Sequence, residues 1–434
     1  MKKRTKILLF LIFIIISPII ASGGYYLWNN YIVNKINDNP IKKTKNNTKK
    51  EKLQKSNVKV GMWNVYKLSA NSKKEKYEAL AKVILNQNLS LVGLTEIMGE
   101  KKRNDNLAIE FDINAKRAVD KIKNTLNDFD SEKDWDYVIS SKLASNSKYQ
   151  NQNETIAMLY KINYFEPIPF VGYENLDQTL LKHGYDKNNW LKKYNLKNED
   201  ELKNKILINN QYKNTLLKIY NNESDINKSY TEKQLLGINY INTPWVAQTN
   251  KNNKTIQYAR SPFGVMWKSK IDNQTFTTVV AHLDAPKAQE NRQEEKSEFS
   301  SSQGQHEVEE ALKINDVMNF FDVLDGDNQN LIFLGDTNIT EKVGPIVFEP
   351  LIKNGFKTGL DWNTKTSLGK QELYSNPYDR IFYKGQIFQD FGYFKEFAKI
   401  NKSNIENGYF KKYQKVNSEI SDHTLVYAIL KLNN

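Results

Sequence analysis

Short apolar runs that stop on an acid, an amide or an imidazole recur along this chain, and they restrict its fold more than any other feature. Residues 58–66 (VKVGMWNVY) read as a strand. Tyr77, Leu80, Ala81, Ile84 and Leu85 then recur at helical spacing before residues 89–97 (LSLVGLTEI), a second apolar strand. In this strand, helix, strand unit the polar residues Asn64 and Glu96 fall at or near strand ends. Residues 114–129 suit an amphipathic helix, and residues 135–139 and 154–160 (ETIAMLY) suit strands. Strands resume at 261–267 and 275–282, a helix is expected around 307–321, and LIFLGD, residues 380–383 and residues 424–432 close the series. No internal repeat of solenoid period interrupts it. The alternation predicts an α/β protein of two packed sheets with helices outside.

Two stretches depart from the pattern. Residues 171–255 turn to Asn, Lys and Tyr with scattered Leu and a helical signal over 199–220, and they read as an insertion. Residues 287–305 (KAQENRQEEKSEFSSSQGQ) are polar and read as a mobile loop.

Composition bounds the chemistry. The 434 residues hold no cysteine, which excludes disulfides, thiolate nucleophiles and Cys-ligated metals. Any metal must be held by oxygen or imidazole. The net charge is +13, but 12 Lys and Arg against two Asp and Glu in residues 1–57 account for +10 of it, leaving the remainder nearly neutral. The Asn and Lys abundance therefore reads as compositional bias rather than as a basic binding face.

The N-terminus carries its own signal. Lys2, Lys3, Arg4 and Lys6 precede an uncharged stretch, residues 7–28, that opens with ten apolar residues (ILLFLIFIII). As a helix it spans roughly 33 Å, enough to cross a bilayer once. Tyr25, Tyr26 and Trp28 suit the interface, and the basic flank orients everything after residue 30 outward. The competing reading is a cleaved signal peptide with Ala21, Ser22 and Gly23 near the cut. Residues 1–30 are thus a signal-anchor or signal peptide, residues 31–57 a basic flexible tether, and residues 58–434 the folded domain. Both readings predict export: the domain sits on the outer face of the cell membrane, or is secreted if the segment is cleaved.

The polar residues at strand ends are Asn64, Glu96, Glu154, His282, Asp336, Asn338, Asp379, Asp422 and His423. Any one alone could cap a turn. Together they suggest a site. In GDTN, Asp336 and Asn338 can offer oxygens to a hard cation or a polar ligand. In SDH, an acid and an imidazole are fixed by the strand that follows, and such a His can act as general base while carboxylates hold metal. His282 ends another strand, whereas His183 and His306 lie in polar segments expected to be exposed.

GMWN, LTE, ETIAMLY, RSPF, VVAHLDAP, LGDTN, YDRI and SDH follow the motif order of the endonuclease/exonuclease/phosphatase family. Over about residues 58–432 the chain most closely resembles that family's deoxyribonuclease I-like branch. With its N-terminal segment and Asn/Lys-rich composition, the whole is similar to a membrane nuclease of mollicutes. The resemblance implies a two-sheet α/β sandwich with a metal-dependent site at one edge. It implies that Glu96 binds Mg²⁺, with Ca²⁺ and Mn²⁺ as alternatives, that Asn64 lies nearby, and that Asp422 completes the acidic cluster. Glu154 would orient His282 and Asp379 would orient His423. Asp336 and Asn338 would position the phosphate, the attacking water and a cation, and Arg260 would contact a substrate phosphate. Arg260 is the weakest match, because 106 positions separate it from Glu154. Asp284 would stand either behind His282 or in solvent.

Phosphodiester hydrolysis adds charge to the nonbridging and leaving oxygens, which a cation and an imidazole can stabilise. The expected activity is an exported, membrane-associated nuclease on DNA, with RNA as a further substrate, yielding 5′-phosphate ends, with His423 as base and His282 as acid. No protein partner is indicated. Two alternatives remain: a sphingomyelinase-like phospholipid phosphodiesterase on the same fold, and a non-catalytic surface binding protein.

Overall fold

The computed structural model describes residues 58–99, 112–143, 154–206, 231–249, 253–285, 296–300, 302–326, 328–369, 374–397 and 416–432. The expected membrane segment and tether lie outside the described residues. Among the described residues no helix is long and apolar enough to cross a membrane.

The chain begins with β1 (Val58–Ser69), α1 (Lys74–Asn86) and β2 (Leu89–Met98), the expected strand, helix, strand unit. Next comes α2 (Ile113–Phe129), whose first turn is capped by Asp112 accepting from the N–H groups of Asn114 and Ala115. The strands β3 (Trp135–Ile139), β4 (Glu154–Lys161) and β5 (Phe165–Ile168) follow. The inserted stretch holds α3 (Leu176–Lys182), α4 (Lys187–Lys193), a helical run over residues 199–206, β6 (Ile238–Asn239) and the short pair β7 (Trp245–Val246) and β8 (Thr255–Ile256). The second half comprises β9 (Phe263–Ser269), β10 (Thr275–His282), α5 (Gln305–Leu312), α6 (Ile314–Leu324) and β11 (Leu331–Asp336). It ends with α7 (Gly344–Val347), α8 (Glu349–Lys353), β12 (Lys357–Thr358), β13 (Asp379–Lys384), β14 (Phe388–Tyr393), α9 (Val416–Glu419) and β15 (Val426–Leu430).

Two sheets result. The first runs β14-β15-β1-β2-β4-β3 and the second β12-β13-β11-β10-β9-β5, with β6 also paired to β9. Each sheet has a parallel pair near its centre, β1 with β2 and β10 with β11, and each of these pairs is joined through helices. The sheets pack face to face through Val60, Met62, Leu91 and Met158 on one side and Val265, Val280, Ile332 and Leu334 on the other. α1 and α2 cover the outer face of the first sheet, and α5 and α6 that of the second. Both faces of the central strands are therefore buried, which is why β2 and β11 read as continuous apolar runs.

The insertion decorates the outer helices of the second sheet. Trp190 of α4 stacks on Phe320 of α6 with ring centroids 6.1 Å apart, and the Tyr194 hydroxyl donates to the Asp316 carbonyl at 2.6 Å. Its expected helix beyond residue 206 lies outside the described residues. The loop expected to be mobile differs in its second half. Lys296 bridges Gly304 and Gln303 is buried, donating to Glu307 at 3.1 Å and to the Asn338 carbonyl at 3.2 Å. Polar composition concealed the inward turn of Gln303, whereas Lys296, Glu298 and Ser302 are exposed.

At Gly93 the sheets approach so closely that a Cβ would stand 2.8 Å from Val280 Cγ2 and 2.9 Å from Met158 Sδ. Gly93→Val should therefore wedge the sandwich, costing about 1–3 kcal/mol and lowering the urea midpoint. An unchanged midpoint would show that the interface has slack there.

Candidate active site

The register of the strands gathers the expected residues at one edge of the sandwich. His282, the last residue of β10, pairs with Asp336, the last of β11, and Asp336 pairs with Asp379, the first of β13. In the other sheet Met98 at the end of β2 pairs with Glu154 at the start of β4. Contacts across the sheets then close the site. Glu154 Oε1 of the first sheet lies 2.8 Å from His282 Nδ1 of the second. Asp379 Oδ2 of the second lies 2.8 Å from His423 Nδ1, just ahead of β15 in the first. Asn64 Nδ2 donates to Asp336 Oδ2 at 2.9 Å and to Glu96 Oε1 at 3.1 Å.

Each imidazole turns Nδ1 to its own acid and Nε2 to a shared one. Asp336 Oδ2 is 3.6 Å from His282 Nε2 and 3.4 Å from His423 Nε2. Burial works against the charge on both rings, and Arg260 works against it on His282. Glu154 and Asp336 nonetheless outweigh these effects at His282, and Asp336 and Asp379 outweigh burial at His423, holding both pKa values above an ordinary imidazole. In return, burial raises Asp336, but His423, His282 and the Asn64 amide bring its carboxyl below the usual range.

Backbone irregularity aims the metal-side residues. The β1–β2 register slips between Asn64 and Leu68, and the β2–β4 register between Leu94 and Ile97. Inside these bulges Tyr66, Lys67 and Glu96 take φ values of 45°, 53° and 59°, and Asn338 takes 54° in the turn after β11. Non-glycine residues pay for the left-handed region, and such strain concentrates at functional sites. The bulge turns the Glu96 N–H to Glu154 Oε1 at 3.0 Å, while Glu96 Oε2 accepts from the Lys67 N–H at 2.9 Å.

The acids fit a divalent cation. Asp422 Oδ1 is buried and has no hydrogen-bond partner, an orphan that a cation would satisfy. Burial pushes the Asp422 carboxyl up to about 6, with Glu96 and Asp336 adding to the shift against His423. Oxygen donors of this kind suit Mg²⁺ or Ca²⁺. Asp336, Asp379 and His423 also bring three donor atoms within 4.8 Å. Asp379 Oδ2 and His423 Nδ1 are committed to one another, however, so this trio is better read as the imidazole's orienting array. Asn64 serves the acids as a double donor, and its Oδ1 accepts from the Tyr66 N–H at 3.0 Å.

Arg260, expected to contact a substrate phosphate, lies against the Glu154–His282 pair and is as buried as the two imidazoles. It is buried, its Nε donates to the His282 carbonyl at 2.8 Å, its guanidinium also bonds the Leu283 carbonyl, and Nε lies 3.5 Å from Glu154 Oε2. It braces the Glu154–His282 pair from behind. Asn338 Nδ2 donates to the same Leu283 carbonyl at 3.1 Å, tying the ends of β10 and β11. His183 and His306, expected exposed, are half-buried and paired. His183 Nε2 meets the Gly326 carbonyl at 2.8 Å, and His306 Nδ1 meets Asp284 Oδ2 at 2.7 Å. Asp284 thus lies behind the site, and Glu310 Oε2 accepts from its N–H at 2.6 Å.

Some supporting residues went unnoticed in the sequence. Ser421 Oγ accepts from the His423 N–H at 3.0 Å and donates to the Asn64 carbonyl, and the Trp63 indole donates to the His423 carbonyl at 2.7 Å. Both lie inside motifs, GMWN and SDH, which was the available signal. Lys76 of α1 donates to the Tyr66 carbonyl, and burial lowers its ammonium to about 8 against the pull of Glu96 and Asp422.

No family model matches the chain. A stretch of 186 residues is 27% identical to an uncharacterized protein of Mycoplasma pneumoniae, covering 39% of this chain and 37% of that protein. Among the solved structures similar to this chain are endonuclease/exonuclease/phosphatase family proteins. One from Bacteroides thetaiotaomicron has a TM-score of 0.45 at 11% identity, over 86% of this chain and 98% of that one. A mannosyl-6-phosphatase of the same species gives 0.43 at 11%, over 86% and 99%. The human nocturnin catalytic domain with bound sulfate anion gives 0.41 at 11%, over 88% and 96%. At these identities the likeness concerns fold alone.

The His306 cluster carries a pH prediction. Burial lowers this ring's pKa, but Glu310 and Asp284 more than reverse that and push it up to about 9. Its stabilising contribution is therefore complete below the unfolded value of about 6.5 and is lost as pH rises through the folded one. The unfolding midpoint of the parent should fall between these pH values, and the fall should be shallower in His306→Asn. Parallel slopes would refute the assignment.

Proposed function

We propose that this chain is a divalent-cation-dependent phosphodiesterase of nucleic acids, DNA foremost, acting outside the cell and tethered by residues 7–28. The observation that carries the reading is the pair of acid-oriented imidazoles whose Nε2 atoms converge on Asp336. Hydrolysis of a diester needs one group to take a proton from water and another to give one to the departing oxygen. Two imidazoles on opposite sheets suit those two tasks. His423 Nε2 would take the proton as the water oxygen bonds to phosphorus, in the neutral form that a cation beside Asp336 would favour by offsetting the carboxylates that raise the ring's pKa. His282 Nε2 donates its own to the 3′ oxygen as the P–O3′ bond breaks. Asp379 and Glu154 hold the rings and balance the imidazolium that each carries for part of the cycle. Glu96 and Asp422, with Asp336 beside them, would hold the cation, which supplies charge for the nonbridging oxygens.

A groove supports a polymeric anion over a monoester. Thr340, two residues past Asn338, and Asn376, three before Asp379, line a 260 Å³ cavity together with Ser300, Ser302, Lys342 and Lys365. Its two ammonium groups and its hydroxyls suit phosphates flanking the scissile one, and Glu341 tempers the charge.

His423→Ala and His282→Ala should each slow metal-dependent plasmid cleavage by about 10²-fold or more, and EDTA should abolish it. Turnover within a few-fold of the parent would overturn the catalytic roles. Replacing Lys342 and Lys365 together with Ala should raise KM for DNA and flatten its salt dependence by about 2 log units per log unit of salt. Hydrolysis of bis(p-nitrophenyl) phosphate, which occupies only the scissile position, should be unchanged. Equal losses on both substrates would remove the groove from the account.

A further inference from the structure

The geometry points to a second cation site, for Ca²⁺, in the turn between α2 and β3, at the end of the sandwich away from the catalytic groups. Asp130, Glu132 and Asp134 alternate along this turn, and each offers one carboxylate oxygen such that the three lie within 4.8 Å of one another. Lys161 ends β4 and Glu154 begins it, so roughly 23 Å of strand separates this cluster from the His282 pair.

An acidic cluster in solvent would carry no such meaning. Here the innermost acid decides the matter. Asp134 is only 3% exposed, yet neither of its carboxylate oxygens completes a well-formed hydrogen bond, and the Asn163 main chain and Lys161 only partly offset its burial. Leaving a buried carboxylate unsatisfied is costly unless a charge compensates it. Lys161 supplies one ammonium, but places it 2.8 Å from Asp130 and 2.9 Å from Glu132, and 4.0 Å from Asp134 Oδ1. The most buried acid is the one least compensated. Three carboxylates against one ammonium leave a formal −2, the charge that one divalent ion cancels.

The donor set and the access select the ion. The ligands are oxygens only, on an irregular turn rather than a rigid octahedral cage, which favours Ca²⁺ over Mg²⁺ and over imidazole-seeking metals. Asp130 is held in place by the Glu132 N–H at 3.1 Å and the Trp135 indole at 2.9 Å, and its oxygens keep further lone pairs. A 640 Å³ cavity lined by Asp130, Glu132, Asn88, Ser90, Lys59 and Tyr164 opens on the cluster and gives an entry path. Lys161 must yield its place as the ion enters. The Trp135 and Tyr164 rings, 5.7 and 5.8 Å from its Nζ, offer the ammonium an alternative seat.

This competition makes an unusual test possible on the full chain, stripped of metal and titrated with Ca²⁺ while melting temperature and heat of binding are read. In Glu96→Gln, which disables the proposed catalytic cation site, a Ca²⁺-dependent rise in Tm should persist, and adding Asp134→Asn to that variant should abolish it. Lys161→Met, which removes the competing ammonium, should bind Ca²⁺ about tenfold more tightly. Glu132→Gln, at an exposed position that cannot disturb the core, should weaken binding about tenfold and serves if Asp134→Asn does not fold. A Glu96→Gln protein without a Ca²⁺ response, a response that survives the added Asp134→Asn or is not weakened by Glu132→Gln, or a Lys161→Met variant no tighter than its parent would each overturn the site.

Discussion

The carboxylate of Asp336 is the point on which the catalytic edge depends. One of its oxygens faces the Asn64 amide and both imidazole Nε2 atoms, in a position 1% exposed. Burial there penalises the anion, and the two rings, the Asn64 amide and the Asn338 N–H offset that penalty. The dependence is mutual. Without Asp336, two rings each already tied to an acid at Nδ1 would lose the anion that both Nε2 atoms face. Removing one partner of a buried charge network commonly costs about 3–5 kcal/mol, because the remaining charges are stranded.

Around that acid the backbone is bent to order. Regular pairing would leave Glu96 facing a sheet surface, since side chains alternate along a strand. The double slip of register at β1–β2–β4 puts it in a left-handed conformation instead, with its N–H on Glu154 and its carboxylate between Asn64 and Lys67. The Asn64 side and the His282 side are thereby joined through one residue's main chain and side chain. Strain of this kind persists only where the surroundings over-determine it, and here three strands of the first sheet do so.

Much of this was legible in the sequence because the strands buried on both faces are apolar throughout and stop abruptly at polar residues. The β1–α1–β2 unit, β4, β9, β10, β11 and the final strand were readable for that reason, and so was the gathering of their terminal acids and histidines. β14 was not, since residues 388–393 alternate weakly at a sheet edge. His306 and His183 looked exposed because their partners, Asp284 and Asp322, lie 22 and 139 positions away. Local polarity cannot tell a solvated group from one paired across the fold. Arg260 shows the same limit in reverse: its motif was found, but its direction was set by the carbonyls of His282 and Leu283, which only the folded β10 presents. The bulge at Glu96 also left no mark, because a register slip belongs to a pair of strands and not to either one.

Each acid–imidazole pair has one member in either sheet, Glu154 with His282 and His423 with Asp379. The apolar interface between the sheets is consequently the chassis that keeps the reacting groups in alignment. Two halves that drifted apart by a fraction of an ångström would retain their strands, their helices and nearly all their hydrophobic burial, while both imidazoles lost their paired acids at once. Function in such an architecture fails ahead of folding, and substitutions deep in the sandwich will present as catalytic lesions although they touch no reacting atom.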